Sequence, residues 1–161
     1  MCMKFRDTKL SSDIAESAVT TELLKRKLRV LRPVGGRLPY DLAVDVHGRL
    51  IRIQIKCAWF EKAKRLYTVD ARRTKTNRRI MRRARYDADD FDVAILYIPH
   101  YHCFYVMPVK DFTRYRSGIS LIEKRNGQRL PRSANFRERW DLLTHGHTNR
   151  SPGDNHRRSR H

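Results

Sequence analysis

The sequence predicts an α/β domain with a mixed central sheet flanked by helices, and three features carry that expectation. One amphipathic helical stretch comes first and is followed by short segments of alternating polarity. A near-continuous apolar segment, Val93-Ala94-Ile95-Leu96-Tyr97-Ile98, has no polar face and suits a central strand covered on both sides. Helical stretches around Val109 to Tyr115 and Asn135 to Leu143 return after the strands. At 161 residues and 40% hydrophobic content the chain has material for one core. The expected domain spans residues 1–145. Residues 146–161 form a polar, basic tail containing Pro, Gly and Ser, expected to be disordered when free.

Ser11 to Arg29 reads as the first helix, with Ala15, Val19 and Leu23 as an apolar stripe at i, i+4 and i+8. Asp13 and Glu16 have the spacing of a capping box. Glu16 also lies on the edge of the stripe, so two roles are open to it: closing the helix start, or presenting a carboxylate to the segments that follow. Leu28 to Val34 is a candidate first strand, broken by Pro33 and ended by Gly35-Gly36.

Tyr40 to Lys56, YDLAVDVHGRLIRIQIK, then reads as a hairpin. Leu42, Val44 and Val46 alternate along one strand and Ile51, Ile53 and Ile55 along the next, with His47-Gly48 as the turn. Side chains alternate across a strand, so Arg52, Gln54 and Lys56 share the face opposite the isoleucines, and Asp41 lies opposite Leu42. A carboxylate, an amide and an ammonium thereby converge. A solvated hairpin face would show the same alternation. Cys57 to Phe60 completes this segment, with Trp59 and Phe60 assigned to core or rim, and Tyr67 to Ala71 is expected to be a third core strand.

The charge balance points outward. Lys and Arg number 36 against 17 Asp and Glu, a formal charge of +19, and such an excess attracts a polyanion and releases its counterions. It is densest in Arg72 to Arg85, where Arg72, Arg73, Lys75, Arg78, Arg79, Arg82, Arg83 and Arg85 occur with no acid among them. Such a run reads as a solvated face or an unstructured loop, and the interleaved Thr74, Thr76 and Asn77 add donors for phosphates and base edges, which favours direct contact with double-stranded DNA. Asp89, Asp90 and Asp92 offer a second metal site on paper, but aspartates ahead of a strand are more often turn formers. His100 to His102 makes a turn, and Cys103 to Met107 returns as a strand stopped by Pro108.

Other classes are disfavoured. No apolar run approaches the roughly 18 residues of a membrane span, and the N-terminal residues are too polar for a secretory signal, so a cytoplasmic protein associated with the nucleoid through DNA is expected. Cys2, Cys57 and Cys103 are odd in number and lack a C-x-x-C pair, which suggests neither a disulfide framework nor zinc. His145, His147, His156 and His161 lack companion ligands at metal-site spacing.

Pro39-Tyr40-Asp41 followed by Gln54-Ile55-Lys56 resembles the PD-(D/E)XK nuclease superfamily, in which an Asp on one strand precedes a Glu or Asp, any residue and a Lys on the next. With Asp13-Ile14-Ala15-Glu16, Phe91-Asp92-Val93-Ala94 and Tyr105-Val106-Met107-Pro108, the sequence looks like the group I intron-associated branch, which includes bacterial homing endonucleases and tolerates Gln at position 54. The resemblance covers roughly residues 10 to 143. It implies a restriction endonuclease-like core and hydrolysis of DNA phosphodiesters with Mg²⁺, Mn²⁺ being able to take its place. It implies Glu16, Asp41, Gln54 and Lys56 as catalytic residues, with Asp41, Glu16, Gln54 and the Ile55 carbonyl around the metal. Cutting two strands with one small site per chain further suggests a homodimer or homotetramer. Two alternatives stay open: a Holliday-junction or restriction-type nuclease, and a catalytically inactive nucleic-acid-binding module, the latter favoured by the absence of a carboxylate at position 54.

Overall fold

A computed structural model describes residues 8–77, 80–123 and 129–144. Helix α1 (Thr8–Lys25) buries Ala15, Val19 and Leu23, the anticipated stripe. It begins earlier and ends sooner than expected. Asp13 is therefore inside the helix and exposed, which removes the capping box. Lys27 takes the left-handed conformation at φ 60° and the Leu28 N–H donates to Leu23 O at 3.1 Å, a closure that turns the chain out of the helix.

Five strands form the main sheet: β1 (Arg29–Leu31), β2 (Leu42–Val46), β3 (Arg49–Cys57), β8 (Val93–Ile98) and β9 (Cys103–Pro108). They lie in that order, with β3 and β8 parallel and the other pairings antiparallel, so the sheet is mixed. The β2–β3 turn is the expected His47-Gly48, with φ 54° and 81°. Positive φ at both positions suits a two-residue hairpin turn, and Asp45 Oδ1 accepts from the Gly48 N–H at 2.8 Å.

Alternation along the strands divides the interior into two cores. Leu42, Val44, Ile51, Ile53, Ile55, Val93, Ile95, Phe104 and Val106 face α1, joined by Trp140 and Leu143. Ala94, Leu96, Ile98, Tyr105 and Met107 face the opposite side, where Val69, Phe91, Phe112, Ile119 and Leu121 complete a second core. Strand β8 is buried at every position, as its unbroken apolar run requires.

The second core is roofed by a smaller antiparallel sheet of β4 (Trp59–Glu61), β5 (Leu66–Asp70) and β10 (Gly118–Leu121), with β5 in the middle. The third core strand expected at Tyr67 to Ala71 thus lies in a separate sheet: Val69 is fully buried in the second core, but its strand pairs with β4 and β10 and not with a strand of the main sheet. Trp59 and Phe60 are exposed on its rim, with Phe60 edge-on to Tyr67. The basic run, which the sequence leaves as a solvated face or an unstructured loop, is a third element, an antiparallel ribbon of β6 (Arg72–Asn77) and β7 (Ile80–Arg85). Backbone pairing supplies the order that an apolar face does not.

The late helical stretches shrink to α2 (Val109–Phe112), a 3₁₀ turn at Arg132–Phe136 and α3 (Asp141–Thr144). Cys2 and the tail from residue 145, with its four histidines, lie outside the described residues. Among the described residues, no helix is long and apolar enough to cross a membrane.

Candidate active site

Strand β2 stops at Leu42 for a chemical reason. The Asp41 N–H still donates to Ile53 O at 2.9 Å, but Pro39, two residues back, has no N–H to continue a ladder. The Asp41 side chain takes over: its Oδ2 accepts from the Ile55 N–H at 2.7 Å and from Gln54 Nε2 at 2.7 Å. Gln54 is buried and its Nε2 also donates to Ile55 O at 3.2 Å. Of the carboxylate, amide and ammonium expected on one face, the Asp41 carboxylate and the Gln54 amide are thus in direct contact.

Lys56, two residues along the same face, donates from Nζ to the Arg72 carbonyl at 3.0 Å and sits 4.9 Å from the centre of the Tyr86 ring. Glu16 reaches toward the group from α1, near enough for its charge to act on Asp41, while its Oε2 accepts from Arg32 at 3.4 Å. Burial is the largest influence on Asp41 and pushes its pKa up to about 6. The Glu16 charge adds to that rise, against the opposing Ile55 N–H and Lys56 ammonium. Burial also lowers Lys56, opposed by Asp41 and Asp70. The two groups are thus drawn toward neutral pH from opposite sides.

Arg52 shares the face but not the cluster. Its guanidinium grips Asp92 at 3.1 and 3.0 Å, and its backbone N–H donates to the same carboxylate at 2.8 Å. Asp92 thereby ties β3 to the entrance of β8. Asp90 accepts from the Asp87 N–H at 2.9 Å and pairs with Arg73 at 3.5 Å. These aspartates are spent on a turn and on ion pairs, as turn-forming residues would be.

The donor set fits a hard divalent cation. Asp41 and Glu16 supply carboxylates and Ile55 a carbonyl, while Gln54 would add its amide oxygen only by turning its NH₂ away from Asp41 and Ile55. The Gln54 N–H donor already lies between Asp41 Oδ2 and Ile55 O, a position that attracts positive charge. Among the described residues no group of three or more His, Cys, Asp or Glu could hold a metal, so such an ion would rely on water and substrate oxygens as well. Mg²⁺ is typically held in that way, by one or two carboxylates together with phosphate oxygens.

Residues 6–143 match the PD-(D/E)XK endonuclease family. The chain belongs to that family. It is similar, at 45% identity, to a bacterial homing endonuclease of known structure, with 85% of this chain and 93% of that chain covered and a TM-score of 0.79. A search of curated proteins gives no significant match. In this PD-(D/E)XK endonuclease the mixed central sheet and its helices follow the family's fold, and the family makes the chain a nuclease, a hydrolase of phosphodiesters.

The basic ribbon starts directly beside the cluster, since the carbonyl that holds Lys56 is that of Arg72, the first residue of β6. Its described cations are not all free for a ligand. Arg72 and Arg83 both pair with Asp70, at 2.9 and 3.3 Å, Arg73 with Asp90, and Arg85 donates to Thr113 O at 2.8 Å. Lys75 and Arg82 are backbone partners in the ribbon register, and Arg78 and Arg79 lie outside the described residues. Reading the sequence missed three neighbours of the cluster in this endonuclease: Tyr86 and Asp70 near Lys56, and Arg32 on Glu16. None belongs to a motif, and each arrives from an element distant in sequence. The one available hint was Tyr86 as an aromatic closing a run of arginines.

Proposed function

We propose that this chain is a Mg²⁺-dependent endonuclease of double-stranded DNA that acts as a site-specific homing enzyme, with Mn²⁺ able to replace Mg²⁺. The observation that carries the reading is the Asp41 carboxylate held by the Ile55 N–H and the Gln54 amide, with Lys56 on the same strand face. The similarity to a bacterial homing endonuclease supports the biological role. When bound, the divalent ion supplies Lewis acidity and neutralises charge on the phosphate.

The chain's own residues do the rest. Asp41, Glu16, Gln54 and the Ile55 carbonyl hold the ion, and the Ile55 N–H and Gln54 amide fix the Asp41 carboxylate in one orientation. Lys56 places an ammonium against the scissile phosphate or, when neutral, takes a proton from the attacking water. Its burial lowers the ammonium's pKa, the direction that a proton-accepting role requires. The ribbon cations Arg72, Arg73, Lys75, Arg78, Arg79, Arg82, Arg83 and Arg85 follow the DNA backbone, though Arg72 and Arg73 also serve as struts at the ribbon's base. Residues 1–145 form the nuclease domain, residues 146–161 a basic appendage, and two or four copies supply the sites needed for both strands.

The test is cleavage of a plasmid carrying the intron-free form of the host locus, beside one carrying the intron-interrupted form. Mg²⁺-dependent cutting of the first alone supports homing. Equal cutting of both, or preference for a four-way junction, rejects homing in favour of a restriction or resolvase role. DNA binding without cutting in Mg²⁺ or Mn²⁺ supports an inactive module, the reading that the amide at Gln54 favours.

A further inference from the structure

The two feet of the basic ribbon form the seat of Lys56. Strand β6 begins at Arg72, whose carbonyl accepts from the Lys56 ammonium at 3.0 Å, and β7 ends at Arg85, just before Tyr86, whose ring lies 4.9 Å below that ammonium. Neither contact is loose. Asp70 accepts from the Arg72 backbone N–H at 2.9 Å and from its guanidinium at 2.9 and 3.2 Å, and the Ala71 N–H donates to Ser117 O at 2.8 Å, which together fix the Arg72 carbonyl. Tyr86 is 8% exposed and meets Phe91 and Phe112 edge-on, with centroid separations of 5.2 and 5.9 Å.

A lysine needs such a seat. Its ammonium is a compact charge on a flexible four-carbon stem with three rotatable donors, so nothing in the side chain fixes its direction. The Arg72 carbonyl takes one donor. A ring face within about 6 Å of a cation attracts it through the ring's quadrupole, more strongly when the pair is shielded from water. Only the remaining side of the ammonium is left for a substrate.

We propose that Tyr86 is a positioning residue for Lys56, its ring face holding the ammonium against the Arg72 carbonyl so that the foot of the DNA-binding ribbon and the nuclease site form one unit. This rests on the nuclease reading above. It assigns the ring, not the phenol hydroxyl, to the task.

Ring electronics and ring shape are separable. Tyr86→Phe keeps the face and should leave single-turnover cleavage of saturating plasmid DNA within about twofold. Tyr86→pentafluorophenylalanine keeps nearly the same shape among Phe91 and Phe112 but removes the negative face. It should slow that step on the order of tenfold with DNA affinity and Tm unchanged. Tyr86→Leu should do at least as much. Because Tyr86→Leu also disturbs the second core, a readout independent of activity accompanies it: the Lys56 Hε protons in ¹³C-labelled, DNA-free protein should lie upfield of other lysines through the ring current and return to the ordinary position in the Leu variant. Equal cleavage rates for the Phe and pentafluoro variants, or an ordinary Lys56 Hε shift in the parent protein, would overturn the assignment. Asp41→Ala run in parallel separates the two levels: if it is inactive while the fluorinated series is flat, only the role of Tyr86 falls, and if it cuts like the parent, the site reading falls and this one with it.

Discussion

The β2–β3 hairpin and the β6–β7 ribbon are both two-stranded antiparallel pairings, but different forces hold them and different chemistry follows. The hairpin closes on two residues and buries Leu42, Val44, Ile51, Ile53 and Ile55 against α1, each such side chain stabilising the fold by about 1.5–3 kcal/mol. With its apolar face anchored, its other face can hold Asp41 and Gln54 to atomic tolerance. The ribbon forms a sheet of its own and is braced at its base by Asp70 and Asp90, whose ion pairs are partly solvated and individually weak. In the proposed function one region therefore works through single atoms, and the other through summed charge.

Replacing one group in the hairpin should consequently be all or nothing. Asp41→Ala should lower Mg²⁺-dependent cleavage roughly a thousandfold or more while DNA affinity stays within a few fold, because an anionic carboxylate is a ligand for the metal and not for a phosphate. Plasmid cleavage beside an electrophoretic binding assay checks both. A variant that cuts normally would erase the distinction between the two regions.

In the ribbon the response should be graded. Substituting Arg78, Arg79, Arg82 and Arg83 together by Gln should weaken binding and flatten the dependence of affinity on salt, each lost phosphate contact reducing the log–log slope by about 0.9. The ion pair between Arg83 and Asp70 should reduce the share that Arg83 contributes. An unchanged slope would place the ribbon off the DNA, whereas loss of sequence preference alone would place these residues at base edges.

Titration sharpens the contrast further. Asp41 must be ionised to hold a cation, and its pKa stands near 6 because of burial. Apparent Mg²⁺ affinity should therefore fall by about tenfold per unit as pH drops below 6, and level off above it. The metal-free protein should show the opposite trend: a folded pKa raised above the unfolded value means that the native state binds the extra proton between about pH 4 and 6, so stability falls as pH rises through that window. Asp41→Asn should remove both dependences in calorimetry and thermal melts. Ribbon variants should remove neither.

The smallest expected effect is that of Gln54→Glu. It adds charge between Asp41 and the Ile55 carbonyl and should tighten Mn²⁺ several fold in a calorimetric titration with DNA present. It also forfeits the amide N–H that now satisfies Asp41 Oδ2, so the gain should be confined to metal-loaded protein. Equal affinities for the two proteins would mean that Gln54 lies outside the metal's reach.

Much of this was legible in the sequence wherever it depended on local period. The stripe Ala15, Val19, Leu23 marked the buried face of α1, and the alternation around His47-Gly48 marked the hairpin, its turn and the shared face of Gln54 and Lys56, because side-chain direction is fixed by backbone geometry within a few residues. The apolar run Val93 to Ile98 announced a strand buried on both sides. Local period could not say which sheet a strand joins. Tyr67 to Ala71 has the alternation of a core strand and went to the smaller sheet, since membership is decided by which partners lie within hydrogen-bonding reach. Nor could it place the helix ends, where Lys27 adopts a left-handed turn that propensity disfavours. Only the tertiary structure brought Glu16, Asp41, Gln54, Lys56, Arg72 and Tyr86 together, because contacts between residues far apart in sequence, such as Lys56 and Tyr86, are selected by packing of the whole chain and leave no trace in the spacing of any one segment.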